Sequence, residues 1–488
     1  MKNGHAHRLL VSSAFGQHAL PPNSKLSSIR SRRTPRPSSF PLPALRHLPT
    51  LQASKTLHPT TPVVTADHAA GFASTDRFHV MDFHHVEFWC ADAASAAGRF
   101  SFALGVPLAA HSDLTTGNTA HASHLLRSRS GPLAFLFTAP YAAQHGGADD
   151  DDTASSSSVL PSFSADAARR FAADHGLAVR AVAVCVSDAA EAFRASVAAG
   201  ARPAFAPAEL GHGFVFAEVE LYGDVVLRFV SYPDDTDDVA FLPGFANVAS
   251  SEDQSECPPD YGLSRFDHIV GGVPDLDPAA AYIAGFTGFH EFDRVNAKEV
   301  GTLNGLVLAN SSEKVLLTLL EPVHGTKRRR SQIQTFLDHH GGPGVQHLAM
   351  ISDDLIGTLR EIRARSSMGG FELLPPPPPS YYDGVRRLAG DVLSEAQIRE
   401  CQELGVRVDR AADNNGGVVL QTFTKAAGDR PTLLLELMQR IGCVEIDDNG
   451  KEYQRSGCGG FAKDNVIHLV KSIEDYDKTL DAPTTRVA

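Results

Sequence analysis

Three short stretches from the first half of this chain recur in the second, and that repetition limits it to a fold built from duplicated modules. Phe83-His84-His85-Val86-Glu87-Phe88-Trp89 is echoed by Phe266-Asp267-His268-Ile269-Val270-Gly271-Gly272, and Val179-Arg180-Ala181-Val182 by Val345-Gln346-His347-Leu348. Val225-Val226-Leu227-Arg228-Phe229 is set against Leu433-Leu434-Leu435-Glu436-Leu437, so an arginine of the earlier copy answers a glutamate of the later one. The earlier copy holds His85 beside Ala181 and Arg228, whereas the later copy carries His268, His347 and Glu436. The second half therefore reads as the working half.

Apolar alternation begins at Phe78 and predicts a strand as far as Trp89, followed by helical spacing from Ala91 to Leu104. Further strands are expected at Phe135 to Thr138, Ala181 to Val186, Val215 to Tyr222 and Val225 to Tyr232, with a helix at Asp188 to Ala199. A similar order recurs after Phe266, with helices at Pro278 to Thr287, Asp353 to Arg365 and Ser394 to Leu404. Pro375 to Pro379 is expected to be irregular, because proline cannot donate to a ladder. Asp149 to Asp152 with Ser155 to Ser158 reads as a surface insert, and the Pro, Ser and acidic residues of 241–262 read as a linker.

With 488 residues, 43% hydrophobic and 21% charged, the chain is long enough for several globular domains. Its net charge of −13 argues against nucleic acid as a partner, since phosphate binding wants a basic face. The one basic run, Lys327-Arg328-Arg329-Arg330, reads as an exposed loop, and no apolar run is long enough to cross a membrane. The six cysteines are scattered without C-x-x-C spacing and read as reduced, structural thiols. The first 65 residues hold nine Lys or Arg and no Asp or Glu, a transit-peptide-like composition pointing to the chloroplast, with a cytoplasmic chain carrying a disordered tail as the alternative.

His268, His347 and Glu436 each sit centrally in a short apolar strand, so alternation turns them to one face and Ile269, Leu348 and Leu435 to the other. An ionisable side chain inside such a strand is costly to bury without a partner, and one shared divalent ion would serve all three. Two imidazoles and a carboxylate on one side of a metal leave other positions open, the pattern of non-haem Fe(II) oxygenases.

Around these residues the sequence resembles the plant 4-hydroxyphenylpyruvate dioxygenases, from about Asp76 to Leu480. The stretches that carry it include Phe-His-His-Val-Glu-Phe-Trp-Cys (83–90), Leu-Tyr-Gly-Asp-Val-Val-Leu-Arg (221–228), Phe-Asp-His-Ile-Val-Gly (266–271), Glu-Pro-Val-His-Gly-Thr-Lys (321–327), Gln-Arg-Ile-Gly-Cys (439–443) and Gly-Cys-Gly-Gly-Phe (457–461). The resemblance implies an α+β fold of two vicinal oxygen chelate domains, each of paired βαβββ modules. The implied layout is a leader over 1–75, a non-catalytic domain over 76–240, the linker, a catalytic open barrel over 263–456, and a gating helix with tail over 457–488. It further implies Fe(II) on His268, His347 and Glu436, and a 2-oxoacid that chelates the iron and reacts with O2. The products implied are homogentisate and CO2, a step of tyrosine catabolism that supplies plastoquinone and tocopherol precursors. Phe423 and Phe461 match the family's ring-stacking phenylalanines, Gln332, Gln346 and Gln421 its pocket glutamines, and Asn465 an asparagine of the gating helix. A homodimer is implied as well.

Several positions depart from the family pattern. Gly305 stands where the family has a pocket serine, Thr318 and Leu320 replace a proline and an asparagine, and Val466 replaces an aromatic of the gating helix. The loop after Glu299-Val300-Gly301-Thr302 is short, and Asn414-Asn415-Gly416-Gly417 replaces an acidic turn. The triad is intact while the ring end of the pocket is altered, which leaves three readings open: the family reaction, an iron oxygenase acting on a less polar 2-oxoacid, or a protein that binds iron or a partner without turnover. For the leader, residues 1–75 fused to a fluorescent protein should carry it into chloroplasts of leaf protoplasts; fluorescence confined to the cytosol would reject the transit reading.

Overall fold

The computed structural model describes residues 75–142, 158–233, 241–248, 260–323, 331–410, 417–446, 450 and 452–481. The leader, the acidic run Asp149 to Asp152, the basic run Lys327 to Arg330 and Asn414 to Gly416 lie outside the described residues. The first half runs β1 (Val80–Trp89), α1 (Ala93–Leu104), β2 (Leu108–Ser112), β3 (His121–Arg127), β4 (Ala134–Pro140), α2 (Ala165–His175), β5 (Ala178–Val186), α3 (Ala189–Ala198), β6 (Pro203–Gly211), β7 (Phe214–Tyr222), β8 (Val225–Ser231) and β9 (Ala246–Asn247). The second runs β10 (Leu263–Gly272), α4 (Leu276–Thr287), β11 (His290–Val295), α5 (Ala297–Val300), β12 (Leu303–Ala309), β13 (Leu316–Pro322), α6 (Gln332–His340), β14 (Gly344–Ser352), α7 (Leu355–Ser366), α8 (Pro379–Ala389), α9 (Glu395–Leu404), β15 (Arg407–Arg410), β16 (Val418–Phe423) and β17 (Leu434–Ile441). A hairpin, β18 (Val444–Ile446) with β19 (Glu452–Gln454), and a final helix, α10 (Lys463–Asp481), follow.

Each half is two βαβββ modules joined into one sheet, in the orders β6-β7-β8-β5-β1-β4-β3-β2-β9 and β11-β12-β13-β10-β14-β17-β16-β15. The second sheet curls into an open half-barrel. In both, a central antiparallel pair, β1 with β5 or β10 with β14, is flanked by parallel strands. Three of the four module helices start where an aspartate caps them: Asp92, Asp188 and Asp354 each accept a backbone N–H of the first turn. That cap moves the expected start at Ala91 to Ala93.

The halves share a core, with Phe266 of β10 edge-on to Phe83 (6.0 Å) and to Phe135 (5.3 Å). Gly271 is required at this junction, because a Cβ there would lie 2.5 Å from the Tyr222 ring of the first half. The expected linker is partly built into the fold, since Phe241 and Leu242 are buried and β9 pairs with β2. Pro379 also departs from expectation: it opens α8 at a position where a missing N–H costs no bond. The reading of six reduced thiols is corrected at two positions, for Cys443 and Cys458 form a disulfide, while Cys90, Cys185 and Cys401 are free and buried.

Register confirms the repeat at the level of single residues. His85 pairs with Ala183, which pairs with Arg228; His268 pairs with Ala349, which pairs with Glu436. Ala181 occupies the place of His347, two residues earlier on the middle strand. The Arg228 guanidinium fills the first-half position completely: Nη1 lies 2.9 Å from His85 Nε2, Nη2 donates to Glu87 Oε2 at 2.5 Å, and Nε donates to Glu218 Oε1 at 2.8 Å. Burial would lower the Arg228 pKa, but the two carboxylates more than offset it. The first half thus carries its own cation. Arg228→Met should leave Glu87 and Glu218 buried without a counter-charge and destabilise the chain by about 3–5 kcal/mol, read by chemical denaturation; a loss well under 1 kcal/mol would contradict the pairing.

Candidate metal centre and pocket

Three neighbouring strands of the half-barrel supply the site: β10 brings His268, β14 His347 and β17 Glu436. Ala349, between His268 and Glu436 in the same row, is small enough for their longer side chains to lean together over it. The Nε2 atoms of His268 and His347 lie 3.2 and 3.3 Å from Glu436 Oε2, and all three donors fall within 4.8 Å of one another. All three side chains are buried.

Simple alternation does not deliver this arrangement; two β-bulges do. Phe266 and Ile269 both join the core on the outer face of the sheet, although they are three residues apart, because an extra residue, Asp267, interrupts the β10–β14 ladder. Gln346 interrupts it again between Val345 and His347. Each bulged side chain then bonds the histidine after it. His268 Nδ1–H donates to Asp267 Oδ2 (2.9 Å) and His347 Nδ1–H to Gln346 Oε1 (2.5 Å), which fixes both tautomers with Nε2 turned toward Glu436. Asp267 is held in turn by Arg440, whose Nε and Nη2 donate to its two oxygens at 2.8 and 2.7 Å. Arg440 Nη1 also donates to the carbonyls of Cys458 and Gly460, tying the centre to the disulfide-bonded segment before Phe461.

The charge states follow from these contacts. Burial alone would push the His268 pKa down, but the Glu436 and Asp267 carboxylates lift it to about 9. Burial would raise Glu436, and the facing His268 more than reverses that. Burial dominates at His347, which stays below its ordinary value, while Arg440 holds Asp267 well below the usual carboxylate range. Two neutral-capable imidazoles with fixed tautomers and one ionised carboxylate, converging from three strands, fit a divalent ion by donor type and spacing.

A cavity of about 40 Å³ adjoins the three donors, room for roughly three waters at 10–15 Å³ each. Gln332, Gln346, Gln421, Phe423 and Phe461 line it. The Phe423 ring stands 5.5 Å from His347 and the Phe461 ring 5.7 Å from His268. Gln346 spends its carbonyl on His347, whereas Gln332 Oε1 is buried without a partner. Asn465 stands behind the wall, its Oδ1 bonded to the Tyr381 hydroxyl (2.8 Å). Leu320 lines the cavity beside its cross-strand partner Gly305, where a Cβ would lie 2.8 Å from Leu320 Cδ2. Val466, Leu469, Val470 and Ile473 of α10 close the remaining side. The sequence reading missed Asp267, Arg440 and the α10 leucine and isoleucine. Arg440 carried a signal, a charged residue in an apolar strand at the same parity as Glu436.

This fold and donor set define a member of the glyoxalase–dioxygenase class; a profile of the Glyoxalase/Bleomycin resistance protein/Dioxygenase superfamily matches residues 267–386. A 4-hydroxymandelate synthase triple mutant from Streptomyces coelicolor shares the fold, with TM-score 0.62 and 24% identity over 82% of this chain and 99% of that one. The chain is 66% identical over 441 residues to a 4-hydroxyphenylpyruvate dioxygenase of Hordeum vulgare, covering 87% of this chain and 97% of that protein. It is 55% identical to the enzyme of Daucus carota and 54% identical to that of Arabidopsis thaliana, each over 84% of this chain and 90% of the relative. The chain belongs to the 4-hydroxyphenylpyruvate dioxygenase family.

Because a metal must displace the proton shared between His268 and Glu436, apparent affinity for a divalent ion should rise about tenfold per pH unit below about pH 9 and level off above it. Competition titrations against a chelator of known pH dependence measure this, and a flat profile would show that His268 enters the site unprotonated.

Proposed function

We propose that this chain is an Fe(II)-dependent dioxygenase that converts 4-hydroxyphenylpyruvate and O2 to homogentisate and CO2. The observation that carries the reading is the convergence of His268, His347 and Glu436 in a chain two-thirds identical to a dioxygenase of that name. Bound Fe(II) would supply redox chemistry and open coordination positions for the two oxygens of a 2-oxoacid and for O2. His268, His347 and Glu436 would hold it, with Asp267 and Gln346 keeping both Nε2 atoms in place.

The remaining residues bind and orient the substrate. Phe423 and Phe461 flank the donors from two sides and confine an aromatic ring between them. Gln421, the Gln346 amide N–H groups and the unpartnered Gln332 carbonyl supply neutral hydrogen bonds that do not compete for a cation. The present cavity is far smaller than an aromatic 2-oxoacid, so α10 must give way for substrate to enter. Its return brings Val466, Leu469, Val470 and Ile473 over the site and excludes bulk water. A homodimer belongs to the same proposal, and the composition of the first 65 residues supports delivery to the chloroplast.

One observation favours a second reading. The wall made by Leu303, Leu320 and Val295 is apolar, and Gly305 leaves Leu320 the space to fill it, which suits a ring without a polar substituent. Oxygen uptake by purified Fe(II)-loaded protein, with chromatographic detection of homogentisate, decides between them. Homogentisate in proportion to oxygen supports the first reading, and uptake with phenylpyruvate alone supports the second. His347→Ala should keep the fold by circular dichroism while metal content and oxygen uptake fall to background; retained activity would remove the triad assignment.

A further inference from the structure

Among the described residues three arginines are buried at 6% exposure or less, and one of them lacks a described counter-charge. Arg228 is paired with Glu87 and Glu218, and Arg440 with Asp267. Arg407, at 0% exposure, has a single hydrogen-bond partner among the described residues: its Nη2 donates to Ser472 Oγ of α10 at 2.6 Å. Its Nε and Nη1 are buried with no acceptor. Burial lowers its pKa, in contrast to the other two. The charged and titratable groups that act on it are Tyr381 and Tyr382 of α8 and Glu436, and Glu436 is committed to the two histidines.

Position gives this isolated cation a role. Arg407 pairs across β15–β16 with Gln421, so the two side chains stand together on one face of the sheet, and Gln421 lines the cavity. Phe423, two residues further along β16, pairs with Glu436. Stepping from Glu436 to Phe423, then to Gln421 and across to Arg407, leads away from the metal donors along the pocket wall. Ser472, which holds Arg407, adjoins Ile473, one of the α10 side chains that close the cavity. A shift of α10 that admits substrate therefore also releases the guanidinium. In the sheet order β15 and β13 lie on opposite sides of the strands that carry the triad.

We propose that Arg407 is a specificity-determining residue: its free N–H groups receive an oxygen at the end of the substrate remote from the metal donors, so the pocket selects aromatic 2-oxoacids that bear a ring oxygen. The inference rests on the dioxygenase reading above for the class of substrate. Arginine suits the task, since its rigid fork stays charged and offers donors that an unsubstituted ring leaves unmatched. A buried donor left unmatched penalises the wrong ligand, which is how a site built for a hydroxyl rejects its absence.

The test compares 4-hydroxyphenylpyruvate with phenylpyruvate on metal-loaded full-length wild type, Arg407→Leu and Arg407→Lys, by anaerobic calorimetry and by oxygen uptake. Wild type should bind the hydroxylated acid roughly ten- to a hundredfold more tightly, the range expected for a charge-assisted hydrogen bond. Arg407→Leu should bring that ratio near one by weakening only the hydroxylated ligand, and Arg407→Lys should keep part of it. Thermal melts separate this from a packing role: a residue kept for a ligand at the expense of stability should give a higher melting temperature in Arg407→Leu. An unchanged ratio, or equal weakening of both ligands with a lowered melting temperature, would overturn the proposal. Should Arg407→Leu not fold, the ratio in Arg407→Lys decides alone. Absence of homogentisate from wild type would remove the dioxygenase reading instead, while the binding ratio would still report on Arg407.

Discussion

Everything in the working half depends on keeping five ionisable side chains buried in one connected network. Arg440 neutralises Asp267, Asp267 accepts the Nδ1–H of His268, and Glu436 faces both imidazoles, from the strand beside that of His347 and the next but one to that of His268. Removing any member would leave a neighbour desolvated and unmatched, which is far costlier than a surface charge. The same network reaches outward, because Arg440 also holds the backbone at Cys458 and Gly460 and so fixes where Phe461 begins. The convergence of the three donors and the placement of one pocket wall are therefore a single structural problem.

The duplicated fold solves that problem in two ways from one scaffold. Matching registers bring His85 and Arg228 together in the first half and His268 and Glu436 together in the second. In the first half a guanidinium bonded to two carboxylates and an imidazole supplies the positive charge covalently. In the second half the exchange of Arg for Glu, with His347 in place of Ala181, turns the same spot into a set of donors that calls for a cation from outside. One half carries its own cation; the other presents donors to one from outside.

The pocket is unequal across its width. On the β12–β13 side Leu320 and Leu303 present hydrocarbon, and the fit of Leu320 against Gly305 makes that wall a coupled pair. On the β15–β16 side stand Gln421 and, behind it, the uncompensated Arg407. Helix α10 spans both, touching Arg407 through Ser472 and the cavity through four apolar side chains. The helix has polar contacts at its start as well, Lys463 with Asp293 and Asn465 with the Tyr381 hydroxyl.

The sequence by itself determined the duplication, the α+β modules, the three donors and the family, because these depend on local alternation, on residue type and on long ungapped matches. The strands and helices whose ends it gave lie within a few residues of the observed ones, with shifts such as Ala91 to Ala93 where an aspartate cap decided the start. Only the tertiary structure decided how the donors converge. The bulges at Asp267 and Gln346, the Asp267–Arg440 pair, the Cys443–Cys458 bond and the isolation of Arg407 all arise from register between strands distant in the chain. Strand pairing is a long-range property: a one-residue slip sends a side chain to the opposite face, and no local pattern records it.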